Sequence, residues 1–150
     1  MTGNASAMIL TCIDPRFGDI VSDYIENVGL WGDHDQCSLA GCSLGYNTGL
    51  KRPINCCWME TFDDQIELAI KLHHIHTIIL VDHLDCGAYK AFYELEKDDN
   101  VSLHLINLNK AVAQLRSKYS HNLRGELITY QIKICDLKWG VIDYTHLLYT

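Results

Sequence analysis

Met8-Ile9-Leu10-Thr11-Cys12-Ile13-Asp14-Pro15-Arg16-Phe17 decides how this chain is read. Apolar and β-branched residues lead into Cys12, and Pro15 with Gly18-Asp19 breaks the run. That is the pattern of a buried strand ending in a short loop, predicted over Ala7 to Ile13. Side chains on an extended segment alternate in direction, so Cys12, Asp14 and Arg16 are expected on one side. A thiol, a carboxylate and a guanidinium then meet at a strand's carboxyl end, where open α/β sheets place their ligands.

A second near-continuous apolar run, Thr77-Ile78-Ile79-Leu80-Val81-Asp82, ends in His83-Leu84-Asp85-Cys86-Gly87. A lone cysteine at a strand end is usually a small buried hydrophobe, and a lone His-x-x-Cys is a frequent coincidence. Two strand ends that together deliver Cys12, His83 and Cys86 form a soft nitrogen and sulfur set suited to zinc. Three protein ligands leave a fourth position for chemistry. Asp14 can either bind the metal there or pair with Arg16, whose fork of donors fits a carboxylate two-pronged. The bland reading of that pair is a surface ion pair; its place between a strand end and a metal ligand argues against it.

Cys12-x-Asp14-x-Arg16 followed by His83-x-x-Cys86-Gly87 resembles the β-class carbonic anhydrases. The five polar residues match one by one, over roughly Met8 to Cys86 by motif order and over the whole chain by element order. The resemblance implies one Zn²⁺ per chain on Cys12, His83 and Cys86, with Asp14 and Arg16 as catalytic residues. It implies reversible hydration of carbon dioxide to bicarbonate by a zinc-bound hydroxide, and a homodimer or higher homo-oligomer. No proton shuttle can be named; His34 and the loop at Tyr46 are the candidates.

Two features depart from the family pattern. Where its second strand carries an Arg-x-Ala-Gly-Asn-like end, this chain has Ser38-Leu39-Ala40-Gly41-Cys42. With the first strand expected from Ala7, the family's helices before that strand are not expected here. These departures keep two alternatives open: a hydrolase of a CO₂ analogue, carbonyl sulfide or carbon disulfide, and a zinc-binding domain without catalysis. A cysteine phosphatase is excluded, because too few residues separate Cys12 from Arg16 to cradle a phosphate. A dithiol redox enzyme is excluded for want of Cys-x-x-Cys.

The bulk numbers are those of an ordinary globular domain. At 150 residues, with 48% hydrophobic and 21% charged residues, the chain is expected to form one domain with its own core. A formal net charge of −7 argues against a nucleic-acid partner. No apolar run reaches membrane-span length, and no charged-then-apolar leader opens the sequence, so a cytoplasmic protein is expected. Seven cysteines is an odd count, against a secreted disulfide framework. Cys37, Cys42 and Cys135 read as buried packing, and Cys56-Cys57 as incidental.

The remaining elements follow from periodicity. Residues 1–6 are expected to be a loose tail. Helical spacing runs over Phe17 to Leu30, Trp58 to His74, Cys86 to Lys97 and Val101 to Tyr119. Short strands are expected over Gln36 to Ala40 and Leu127 to Asp136, and an edge segment over Val141 to Tyr149. Gly41 to Gly45 reads as a flexible loop, and Tyr46 to Cys57 as another. Asp85 is expected to cap the third helix. His73, His74 and His76 lie at the other end of their strand from His83 and are excluded from the site. Alternating strands and helices give an α/β fold, with a central, mostly parallel sheet of about four strands flanked by helices.

Overall fold

The computed structural model describes residues 3–50 and 57–149. Its sheet starts from β1 (Ala7–Thr11), whose side chains are all buried because both faces of the strand are covered. Met8 and Leu10 enter one core; Ala7 and Ile9 enter another on the opposite face. Two covered faces explain why the sequence reads as a continuous apolar run rather than an alternation. The same split governs β3 (Thr77–His83), with Ile78 and Leu80 on one side and Ile79 and Val81 on the other.

β1 lies between β2 (His34–Ser38) and β3, and β4 (Thr129–Asp136) follows β3; these four strands run parallel. A short fifth strand, β5 (Gly140–Asp143), adds antiparallel to β4 and makes the sheet mixed. It occupies the start of the edge segment expected from Val141. The strand order β2-β1-β3-β4-β5 reverses direction between β1 and β3. Chain leaving β1 goes to one side and chain leaving β3 to the other, which opens a crevice at their carboxyl ends. Cys12 and His83 sit at that crevice.

Helix α1 (Gly18–Asn27) covers one face through Val21 and Ile25. Helices α2 (Cys57–His73) and α4 (Val101–Lys118) cover the other through Phe62, Ile66, Leu108, Val112 and Leu115. Asn100 caps α4, its side chain accepting from the Leu103 N–H at 3.0 Å. Helix α3 (Gly87–Tyr93) is shorter than the stretch to Lys97 and stops at Glu94, which takes the left-handed conformation with φ 54°. Lys71 and His73 lie in the last turn of α2, where positive charge suits the helix dipole.

Several boundaries shift. β1 stops at Thr11, two residues before Ile13, because Pro15 forces a 3-10 turn over Pro15–Phe17. β2 begins at His34, two residues before the expected Gln36, and ends at Ser38 rather than Ala40. Ala5 and Ser6, expected in a loose tail, are hydrogen-bonded: Ser6 Oγ donates to Asp33 Oδ2 at 2.5 Å and Ala5 N–H to His73 O at 3.0 Å. Gly41 to Gly45 is no flexible loop either. Cys42–Tyr46 forms a 3-10 turn in which every residue is buried. Of the second expected loop, residues 51–56, including Cys56, lie outside the described residues; Cys57 opens α2.

Candidate metal centre

The three side chains come together from three pieces of chain. Cys12 follows β1 directly, His83 ends β3, and Cys86 stands at the start of α3. One ligand atom from each lies within 4.8 Å of the others. A zinc–sulfur bond of about 2.3 Å and a zinc–nitrogen bond of about 2.0 Å fit a triangle of that size. Cys86 and His83 are buried and Cys12 is half-buried.

His83 carries the clearest sign of a ligand. Its Nδ1 faces the Leu84 carbonyl at 2.9 Å, which fixes the proton there. Nε2 is then a buried lone pair, and it has no hydrogen-bond partner. A buried polar atom without a partner is costly, and a metal between Nε2 and the two thiols removes that cost. The ring is further fixed by stacking on Phe17, with centroids 4.1 Å apart.

The two thiols shift in opposite directions. The Cys86 thiol beside it holds Cys12 below the ordinary thiol value against the effect of burial, and His83 and the Gly41 N–H add to it. Cys86 moves up, because Cys12 beside it already holds the negative charge and burial adds to the cost. A cation between the two sulfurs would favour the loss of both protons. Burial works against a charge on His83, but the Cys12 sulfur beside it and the Leu84 carbonyl outweigh that and raise the imidazole.

The Gly41 N–H donates to Cys12 Sγ at 3.2 Å. This contact was not legible in the sequence as a site feature. Gly41 has φ 76°, and a Cβ there would lie 2.8 Å from Leu44 Cδ1 and 3.1 Å from Ala88 Cβ. Only glycine brings its backbone this close to the thiol. Ser38, where the related pattern has arginine, instead meets Thr11, with their hydroxyl oxygens 2.6 Å apart.

Asp14 and Arg16 meet beside the cluster, though not by strand alternation. Asp14 caps the 3-10 turn, accepting from the Arg16 N–H at 3.0 Å. The Arg16 guanidinium then closes back, Nε donating to Oδ1 at 3.1 Å and Nη2 to Oδ2 at 2.8 Å. That clasp holds Asp14 below the usual carboxylate range. Asp14 Oδ2 stands 3.8 Å from His83 Nε2, at the rim of the cluster. A cavity of about 420 Å³ opens there, with Thr11, Ser38 and Gln36 on one wall and Phe17 and Val21 on another.

Asp85 does not cap α3. It has φ 59°, and Cys86 stands in the cap position. Asp85 instead accepts from Arg16 Nη1 at 2.9 Å and from Lys90 Nζ at 2.5 Å. Lys90 first and Arg16 second bring it down to about 2. His34 is far from the cluster: it pairs with Ala7, five residues before Cys12, roughly 16 Å away. Tyr46 is buried and its hydroxyl donates to Asp63 Oδ1 at 2.9 Å. Neither faces the cavity. His73 bonds Asp35 at 2.6 Å, away from the site.

No protein-family model matches the chain. A protein of Rickettsia bellii described as uncharacterized is 34% identical over 119 residues, covering 77% of this chain and 70% of that protein. The chain belongs to that protein's family. A second uncharacterized protein, from Rickettsia conorii, is 33% identical over 119 residues, covering 77% of this chain and 62% of its own length. Among solved structures, the β-carbonic anhydrase CafA of Aspergillus fumigatus superposes with a TM-score of 0.65 at 13% identity, over 94% of this chain and 76% of that one. Tetrameric β-carbonic anhydrases of Sordaria macrospora reach a TM-score of 0.57 at 12% identity, over 95% and 82% of the two chains. The fold is therefore that of the β-carbonic anhydrases. Among the described residues, no helix is long and apolar enough to cross a membrane.

Proposed function

We propose that this chain is a zinc-dependent lyase of the β-carbonic anhydrase type, converting CO₂ and water to bicarbonate and a proton, reversibly. The observation that carries the reading is the partnerless, buried Nε2 of His83 beside two thiols, with an arginine-clasped carboxylate at the rim. Cys12, His83 and Cys86 hold the metal. Zinc supplies Lewis acidity and brings the pKa of a water toward about 7.

The chain's own groups do the rest. The Gly41 N–H and the Leu84 carbonyl orient Cys12 and His83. Asp14 Oδ2 accepts a hydrogen bond from the attacking water and points its lone pair at the substrate's carbon. Arg16 holds Asp14 by both oxygens, which would keep the carboxylate from ligating the metal itself. Phe17 and Val21 give the cavity an apolar wall suited to a small linear molecule without charge. In this reading the protein works as a homodimer or larger assembly in the cytoplasm.

The test is stopped-flow CO₂ hydration on protein whose zinc content is measured in the same sample. Hydration that scales with bound zinc supports the proposal. Zinc-loaded protein without hydration, but with turnover of carbonyl sulfide or carbon disulfide, moves the reading to that substrate. Zinc-loaded protein inert toward all three leaves a binding domain.

A further inference from the structure

Behind the ligand loop lies a buried set of polar side chains that the proposed reaction does not use. Asp82 directly precedes His83 in β3, so strand alternation sends it to the opposite face. There it accepts from the Ser43 N–H at 3.1 Å, the Ser43 hydroxyl at 2.6 Å and the Tyr89 hydroxyl at 2.7 Å. His104, from α4, bonds Asp82 through Nδ1 at 2.8 Å and Asp99 through Nε2. Both ring nitrogens face carboxylate oxygens, so both carry protons and the ring is an imidazolium. Burial opposes that charge, but Asp82 and Asp99 raise the group to about 9.

Asp99 has a second task. Its Oδ1 accepts from the Asp85 N–H at 2.6 Å and its Oδ2 from the Cys86 N–H at 3.3 Å. These two amides lie in the turn between the ligands His83 and Cys86, where Asp85 has φ 59°. Neither side chain of the Asp99–His104 pair is exposed to solvent. A charged pair so placed contributes little net stability compared with apolar packing. Its geometric effect is definite: the chain from Asp85 to Cys86 is tied through Asp99 and His104 to Asp82, the residue beside His83.

We infer that Asp99, held by His104, is a positioning residue for the metal centre, fixing the Asp85–Cys86 turn so that the Cys86 thiol and His83 keep one spacing before any metal arrives. The inference rests on the metal reading proposed above. It extends that reading to a strut outside the motif that carries the resemblance, on a helix and loop well beyond Cys86. Outer partners of this kind govern how tightly a metal is held.

The experiment compares wild type, D99N and L115A. Leu115 is fully buried in α4 away from the loop, so L115A lowers stability without touching the strut. Zinc affinity is measured by competition with a chromophoric chelator, urea stability is measured on the apo-proteins, and the thiolate-to-metal absorption of the Co²⁺ forms is recorded. D99N should weaken zinc about ten- to a hundredfold and shift the Co²⁺ absorption. L115A should do neither, whatever its urea midpoint.

Amide hydrogen exchange on apo wild type guards against D99N failing to fold. The Asp85 and Cys86 amides should be protected to the level of β3 amides even without metal. Equal zinc affinity and unchanged Co²⁺ spectra in D99N, or loop-like exchange of those two amides, overturns the inference. If wild type takes up no zinc, the metal reading fails, and this inference falls with it. If wild type binds zinc and D99N binds it equally well, only this inference fails.

Discussion

The same three candidate ligands are approached from two sides, and the two sides are built differently. On the α4 side, Asp82, Asp99, His104, Ser43 and Tyr89 form a dry network with both ring nitrogens of the histidine engaged. On the cavity side, Asp14, Arg16, Asp85 and Lys90 form a chain of ion pairs at the surface, where Arg16 is 43% exposed. Bonds in the dry network act through a low dielectric, and a member left alone has no water to turn to. Bonds at the cavity are screened by water and salt. Ligand spacing and fold should therefore depend on the buried side, while the open side should tolerate change without loss of either. It is on the open side that the proposed chemistry takes place.

The predictions probe that division, beginning with the ligands both sides share. Replacing Cys86 by Ser should take bound zinc from about one per chain to near none by metal analysis, since three ligands define the site. Unchanged stoichiometry would remove this ligand set. Next comes the buried side. His104→Ala leaves two carboxylates facing each other without a cation, and urea denaturation should show a loss of about 3–5 kcal/mol. A loss no greater than that of an exposed substitution would mean the network is wet after all.

The same residue sets a pH dependence. Its folded value, about 9, lies above the ordinary histidine value of 6.5. The stabilisation is therefore complete below about 6.5 and is lost as pH rises through about 9, an effect of about 3 kcal/mol. Nitrogen-15 NMR of the ring should show both nitrogens protonated at pH 8. A neutral ring at that pH contradicts the charge assignment.

Arg16→Ala acts on the open side. It should keep zinc and the urea midpoint while CO₂ hydration falls about ten- to a hundredfold. A large fall in the midpoint would erase the contrast between the two sides. The smallest effect belongs to Lys90→Ala, which touches the guanidinium only through Asp85. Activity should change by about twofold or less at low salt, and wild type and variant should converge at high salt, as for other exposed pairs. A salt-independent difference would show that the outer pair is more than a surface contact.

The open side is the one the sequence revealed. Cys12, Asp14 and Arg16 lie within five positions, and His83 and Cys86 within four, so local spacing sufficed to group them. Even there the route was different: Asp14 reaches Arg16 by capping a turn set by Pro15, and Asp85 reaches Arg16 from 69 residues away. The buried side could not be read in this way. Asp82 reads as the last residue of a strand, Asp99 as a helix breaker and His104 as one polar residue in a helix. Only the packing of α4 against β3 brings them together. The Gly41 donation to Cys12 was hidden for a related reason: a backbone N–H leaves no letter in the sequence. β1 and β3 were legible from their continuous apolar runs and β4 from its alternation, while β2, polar along most of its length, was expected two residues late. The short β5 was less legible, because at the sheet's edge it is only partly buried.

The central claim is that Cys12, His83 and Cys86 jointly hold one metal ion and leave a position free of protein sulfur. X-ray absorption at the zinc edge of the wild-type protein tests it most directly. The account predicts two sulfur ligands at about 2.3 Å and two nitrogen or oxygen ligands at about 2.0–2.1 Å. Zinc surrounded by nitrogen and oxygen alone, or by three or more sulfurs, would contradict it.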